Sequence, residues 1–161
     1  MTFRLLSLVA AASLAGAAPV WAQDHSQHVM EGVVAPAAAD AATAVDAFHA
    51  ALKVGDTSGA LALMDPEVMI FEEGYVERSR DEYASHHLAS DAAFAADTQS
   101  VHTRRSGWAV GDAAWIVTEG RTTGAFNGRV TDRITTETMV LGRTVDGWRI
   151  RHIHWSSRAS D

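Results

Sequence analysis

No cysteine occurs anywhere in the 161 residues. Disulfides are therefore unavailable as a source of stability, and thiolate catalysis and thiolate metal sites are excluded. The fold must be held by buried apolar surface, and a chain of this length can do so as one domain. Lysine is nearly as scarce: Lys53 stands alone, and the formal net charge is −7. An acidic chain with scattered arginines argues against nucleic acid and against an anionic membrane surface as partners. There is no glycine-rich nucleotide loop, no internal repeat, and no low-complexity segment beyond an alanine-rich leader.

No apolar run is long enough to span a bilayer comfortably. The longest is N-terminal. Thr2 to Arg4 carry one positive charge, Leu5 to Ala18 are apolar, and Val20-Trp21-Ala22 offers small residues to a signal peptidase. This order predicts a signal peptide over 1–22, a periplasmic or secreted location, and no membrane attachment after cleavage. Removing Arg4 takes the formal charge from −7 to −8. Residues 23–39 lack periodicity and read as a disordered leader. Cleavage after Ala22 would expose Gln23-Asp24-His25, whose amine, two amides and His25 imidazole can chelate Cu(II) or Ni(II) in a square plane. Cyclisation of Gln23 would remove that amine.

The folded region begins at Asp40. Ala44, Val45, Phe48, Ala51 and Leu52 form a helical stripe that Gly55 stops. Asp56 or Thr57 caps a short second helix, Ser58 to Met64, which ends at Pro66. "EVMIFEEG" reads as a strand closed by Gly74. Ser79 starts a third helix with Glu82 at capping-box spacing, and the run continues through Tyr83, His87, Leu88 and Phe94. Residues 98–108, 113–124, 130–142 and 147–156 then read as four strands, separated by "VGD", "FNG" and "VDG" turns. Helices followed by a run of antiparallel strands predict an α+β domain over 40–158, with the sheet bent around the helices into a cone and 159–161 as a tail.

The last strand, "WRIRHIHWS", alternates. Strict alternation places Trp148, Ile150, His152, His154 and Ser156 on one face.

The order of elements, with "AFHAALKVGD", "ALALMDPEVMIFEEG" and "DGWRIRHIHWSSR", resembles the nuclear transport factor 2-like superfamily, and within it the SnoaL-like, ketosteroid-isomerase-like branch. The closing strand also resembles the association domain of calmodulin-dependent kinase. The resemblance implies a cystatin-like cone, three N-terminal helices packed on a strongly curved, mainly antiparallel sheet, with a small-molecule site at the open end. It also implies a homodimer packed through the convex face, to which outward-facing members of Trp108, Trp115, Trp148 and Trp155 would contribute. Ketosteroid isomerases pair a carboxylate base with hydrogen-bond donors to the dienolate oxygen. Their base aligns with Glu72. Their tyrosine aligns with Phe48, which cannot donate.

Four groups are expected to converge in such a cone: Glu72, His87, His152 and His154. Tyr75, Tyr83, Asp91 and Glu137 are further wall candidates. Three readings of this set stay open. As an acid–base site, Glu72 and His154 would serve proton abstraction beside a carbonyl or elimination of water. As a metal site, His87, His152 and His154 would bind a divalent ion such as zinc or copper, with Asp91 orienting His87. In a non-catalytic ligand-binding or dimerisation module the same histidines would be structural. Glu137 has a simpler role available, as a cross-strand partner for an arginine.

Overall fold

The computed structural model describes residues 32–160, so the signal segment, the leader up to Glu31 and the His25 chelate lie outside the described residues. Helix α1 (Ala39–Lys53) buries Ala41, Val45, Phe48 and Leu52 along one stripe. Asp56 caps α2 (Thr57–Ala62) by accepting the Gly59 amide at 2.8 Å. Strand β1 (Met64–Glu72) turns at Glu73 and Gly74, both with positive φ, and β2 (Tyr75–Glu77) returns beside it. Ser79 Oγ accepts the Glu82 amide at 3.0 Å while the Glu82 carboxylate accepts the Arg78 amide at 2.6 Å, which starts α3 (Arg80–His86). The third helical run is interrupted. His87, at φ −103° and ψ −28°, separates α3 from α4 (Leu88–Asp97). Lys53 then donates to the carbonyls of Ala95, Ala96 and Thr98, tying the end of α1 to the end of α4.

Four long strands follow: β3 (Thr98–Val110), β4 (Ala113–Phe126), β5 (Arg129–Thr144) and β6 (Gly147–Ala159). The sheet order is β2-β1-β6-β5-β4-β3, antiparallel except where β6 lies beside β1. The helices cover one face of this curved, open sheet. Val45, Phe48, Tyr83 and Leu88 pack there on Val68, Ile116, Met139, Leu141, Ile150 and Ile153, all of them buried.

Order extends further toward the N-terminus than a disordered leader allows. Val34 bridges Gly107, Ala35 donates to the Gly107 carbonyl at 2.9 Å, and a 3₁₀ turn over Pro36–Ala38 buries Ala38 completely. This crossing needs a glycine beneath it. A Cβ at Gly107 would stand 2.6 Å from Ile116 Cδ1 and 3.3 Å from Val34 Cγ1.

The decisive departure lies in β6. Its pairing with β5 runs Glu137–Trp155, Met139–Ile153 and Val140–His152, then shifts to Leu141–Ile150. Arg151 is the extra residue of a β-bulge, and its side chain lies over Gly142 to reach Asp65 at 3.2 Å. One inserted residue reverses the alternation. Trp148 and Ile150 stay beneath the helices, and Ile153 and Trp155 follow them. His152 and His154 therefore turn to the convex face, where both rings lie against Phe71, at 5.0 and 6.4 Å.

This phase is testable by denaturation. Ile153→Ala should cost about 2–5 kcal/mol in urea-derived unfolding free energy, the range for emptying a buried isoleucine site. His154→Ala should stay within about 0.5 kcal/mol. Equal losses, or the reverse order, would return the histidines to the interior.

Candidate functional site

Backbone register places one row of side chains across the concave sheet. Glu72 on β1 pairs with Trp155 on β6, Trp155 with Glu137 on β5, Glu137 with Thr118 on β4, and Thr118 with Arg105 on β3. Residues directly opposite on neighbouring strands share a face, so all five point toward the helices. Phe48 of α1 stacks on Trp155, with ring centroids 6.4 Å apart and planes 20° off parallel. The stacked pair divides the row.

On the Glu72 side is a cavity of about 200 Å³, lined by Ile70, Glu72, Glu73, Tyr75, Glu77, Tyr83 and His87. Antiparallel pairing of β1 with β2 aligns Glu72 with Tyr75 and Ile70 with Glu77, which builds the floor. The break at His87 supplies the roof. Tyr83, fully buried, donates its hydroxyl to Asp91 at 2.8 Å, one turn into α4. His87 Nδ1 meets Oε1 of the buried Glu77, and His86 Nδ1 reaches the other oxygen at 3.2 Å.

Glu72 accepts no hydrogen bond from the described residues. Burial pushes its carboxyl up to about 7, the negative charges of Asp91 and Glu73 add to this, and His87 opposes it. Burial also raises Asp91, against the Tyr83 hydrogen bond and the nearby His87. The Tyr83 phenol is driven far above the usual tyrosine range, by burial first and by Asp91 second. The cavity wall thus carries a carboxylate raised to about 7 together with a phenol backed by a second acid.

Five of the wall residues expected from the sequence meet here: Glu72, Tyr75, Tyr83 and His87 around the cavity, with Asp91 behind Tyr83. Tyr75 is 70% exposed and stands at the mouth, 6.1 Å from the His87 ring. His152 and His154 are not part of it, and the expected set of His87, His152 and His154 is corrected by the bulge at Arg151. His152 instead contacts the Met69 carbonyl through Nδ1 at 2.9 Å. Glu137 faces inward but lies beyond Trp155, outside this cavity. Its Oε2 accepts from the Trp155 indole at 2.8 Å and contacts His49 Nε2 at 2.7 Å. Those partners replace the cross-strand arginine that its position suggests.

Glu77 and His49 are missing from the sequence reading; there His86, about a quarter-turn from His87 on the helix, is set aside in favour of His87 as the one histidine to face inward, yet both rings reach Glu77. Glu77 belongs to a three-residue strand too short to leave a periodic signal. His49 lies on α1 next to Phe48, and only the Ala41–Val45–Phe48–Leu52 stripe there announces burial. Among the described residues, Glu77, Glu82 and His86 form a group able to hold a metal ion, with ligand atoms within 4.8 Å of one another.

Comparison with known proteins agrees with this architecture. The family model of the SnoaL-like domain matches residues 41–160. A candidate ketosteroid isomerase from Shewanella frigidimarina is 36% identical, with 73% of this chain and 94% of that one aligned at a TM-score of 0.70. A candidate dehydratase of the NTF2-like family from Streptomyces avermitilis aligns at 0.64, with 23% identity over 77% of this chain and 97% of that one. The S. rosetta CaMKII hub aligns at 0.66, with 19% identity over 78% of this chain and all of the hub. No curated protein matches. A cystatin-like curved sheet, four helices on its concave face and a match over nearly all of the described residues lead to one assignment: this chain belongs to the family of the SnoaL-like domain.

Proposed function

We propose that the cavity binds a small carbonyl-bearing organic molecule and that Glu72 removes a proton from the carbon beside that carbonyl, in an exported, periplasmic or secreted protein. The observation that carries this reading is the unpartnered Glu72 carboxylate, lifted by burial to about 7 at a cavity wall that also holds Tyr83. A base is most useful when its pKa lies near the working pH. Tyr83 supplies polarisation. When Asp91 takes up a proton and donates it to the phenol oxygen, the phenol hydrogen is released toward the cavity and can bind the developing enolate oxygen. Protonation of the enolate at a different carbon isomerises the ligand, and loss of a β-hydroxyl as water dehydrates it. The volume is modest: a cavity of about 150 Å³ takes benzene, so a single-ring or short-chain ligand fits better than a steroid.

The test needs no known substrate. Wild-type protein should exchange the acidic C–H of some member of a panel of small ketones and β-keto esters for deuterium, followed by NMR. The rate should rise with pH through about 7 and fall by roughly 10²-fold or more in Glu72→Gln. Exchange equally fast in both proteins would sink the reading.

Stability provides a second check. The ordinary glutamate value is 4.5 and the folded value is about 7, so the folded protein binds more protons between them and loses stability as pH rises through that window. Glu72→Gln should therefore melt higher than wild type at about pH 8, while the two converge near pH 4. A variant that melts lower at pH 8 would contradict the burial argument.

A metal-binding role is the second reading, favoured by the grouping of Glu77, Glu82 and His86. Zinc added to the metal-free protein should then raise its melting temperature. His86→Ala should abolish the effect and His154→Ala should preserve it. Dependence on His154 would reject this placement.

We also infer a homodimer. The convex face carries the row Trp108–Trp115–Val140–His152–Met69, in which Trp108, Trp115 and Met69 are 41, 36 and 42% exposed. The two tryptophans stack at 5.9 Å on open surface, an arrangement that a second copy would bury. Light scattering should give twice the chain mass for wild type and the single mass for a Trp108→Glu/Trp115→Glu variant. A monomeric wild type refutes it.

A further inference from the structure

Glu72 serves the proposed proton transfer, and Glu137 is enclosed with His49, Arg105 and Asp46 in a polar centre whose free atoms are fully buried. A third carboxylate has no part in that chemistry. Glu73 follows Glu72 directly and lines the same cavity. It opens the two-residue turn between β1 and β2, at φ 48° with Gly74 at 91°, the positive values that so tight a hairpin turn requires. The turn sets Glu72, Glu73 and Tyr75 within four residues at the cavity, with Tyr75 at its mouth.

The charge around this cavity is one-sided. Glu77 meets the imidazoles of His86 and His87, so that carboxylate is matched. Glu72 has no hydrogen-bond partner among the described residues. Glu73 has long contacts only, with Arg133 Nη2 and Ser157 Oγ, both at 3.4 Å. The Arg133 and Glu73 side chains are 39 and 59% exposed, and an exposed pair at that distance contributes little. Asp91 adds a further acid behind Tyr83. The resulting negative field reaches the interior, where Asp91 and Glu73 both help to hold the Glu72 carboxyl up.

That field selects the ligand. An anion would enter against Glu72, Glu73 and Asp91. A neutral molecule would strip water from two weakly matched carboxylates and return no charge to them. An ammonium group brings positive charge and N–H donors to a carboxylate, and it is attracted to an aromatic face. Glu73 and Tyr75 supply both, on either side of Gly74. We propose that the ligand of this cavity is a small amino carbonyl compound, its ammonium group held at the mouth by the Glu73 carboxylate and the Tyr75 ring and its carbonyl end inside with Glu72 and Tyr83. The carbonyl half rests on the acid–base reading; the ammonium half rests on the charge of the cavity and stands without it. Binding and chemistry are coupled in this arrangement. The ligand's charge offsets the negative neighbours that keep Glu72 protonated, so occupancy itself favours the ionised base.

The ammonium half can be read without turnover. Propylammonium, propanol and propionate have the same length and differ in charge. Full-length protein carrying ¹³C-labelled isoleucine methyl groups reports through Ile70, a cavity residue only 3% exposed. At about pH 8, above the raised Glu72 value of about 7, propylammonium should shift the Ile70 methyl resonance saturably, in the millimolar range expected of so small a fragment. Propanol and propionate should bind at least about tenfold more weakly. Glu73→Gln should weaken propylammonium by about tenfold and Tyr75→Leu severalfold, while Tyr75→Phe, which keeps the aromatic face, should preserve it. Glu119→Gln removes an exposed carboxylate from the opposite face of the sheet and should change nothing. Equal losses in Glu73→Gln and Glu119→Gln would assign the effect to the acidity of the whole chain and overturn the proposal. No saturable shift, or propionate binding as tightly as propylammonium, would overturn it equally. A protein that binds propylammonium but exchanges no ketone would uphold the ammonium site and sink only the acid–base reading. One that exchanges neutral ketones but does not respond to propylammonium would sink only this inference.

Discussion

Arg151 is an extra residue in β6, and the arrangement beneath the helices depends on it. Up to Ile150 the strand alternates as its sequence suggests, and the bulge then hands the buried face from even-numbered to odd-numbered positions. The inserted residue is held in place. Its guanidinium crosses Gly142, where a β-carbon would stand 2.5 Å from Nε, and ends on Asp65. A side chain at position 142 would push Arg151 away and remove a reason for the bulge to sit there. Because of this one residue, Trp155 rather than His154 faces Phe48, and an indole rather than an imidazole separates the two inward carboxylates of the row.

That separation explains why two glutamates on one face, both largely buried, have opposite properties. Burial acts on each in the same direction, raising the pKa. Glu137 escapes because His49, the Trp155 indole and Arg105 together outweigh burial and hold it below the ordinary glutamate value. An indole has a single N–H to give, and it goes to Glu137. Glu72, on the other side of the same ring, receives nothing from it and has Asp91 and Glu73 as negative neighbours, with only His87 opposing them. One carboxylate is thereby held below the ordinary glutamate value and the other is raised to about 7. Separating two similar groups in this way is how a protein obtains distinct acid and base functions from one residue type.

Much of the fold was legible in the sequence because its signals are local. The stripe of α1, the Asp56 cap, the Ser79–Glu82 capping pair and the glycine turns each lie within a few residues and act through the backbone. What escaped depends on distant partners. The bulge needs Gly142 and Asp65, far from Arg151 in sequence, although the spacing of Trp148, Ile150, Ile153 and Trp155 already departs from strict alternation and carried the hint. The break at His87 is invisible to helical periodicity because Tyr83, His87 and Asp91 would share a stripe in an unbroken helix as well. Strand β2 is three residues long and exists through its pairing with β1. Part of the Glu72 cavity was therefore readable from position alone. The Glu137 centre was not, since Asp46, His49 and Arg105 resemble an ordinary solvated helix face and strand until α1 is laid across the sheet.

Phe48 shows how a family scaffold can keep its shape while its chemistry moves. It stands where the ketosteroid-isomerase resemblance places a hydrogen-bond donor, and here that position is occupied by a ring fully buried against Trp155. The α1 side of the cone has thus become a wall. The polar groups around the Glu72 cavity come from the opposite side: Tyr83 on α3 with Asp91 on α4 behind it, and the Glu77–His87 pair between β2 and the helix break. Tyr83 and Asp91 stand on either side of the interruption at His87, and the Tyr83 hydroxyl donates across it to Asp91. A donor moved from one helix to another can serve the same base only if the ligand turns with it. On the acid–base reading proposed above, a ligand carbonyl would point toward α3 and α4, with its body lying along β1 and β2 rather than beneath α1.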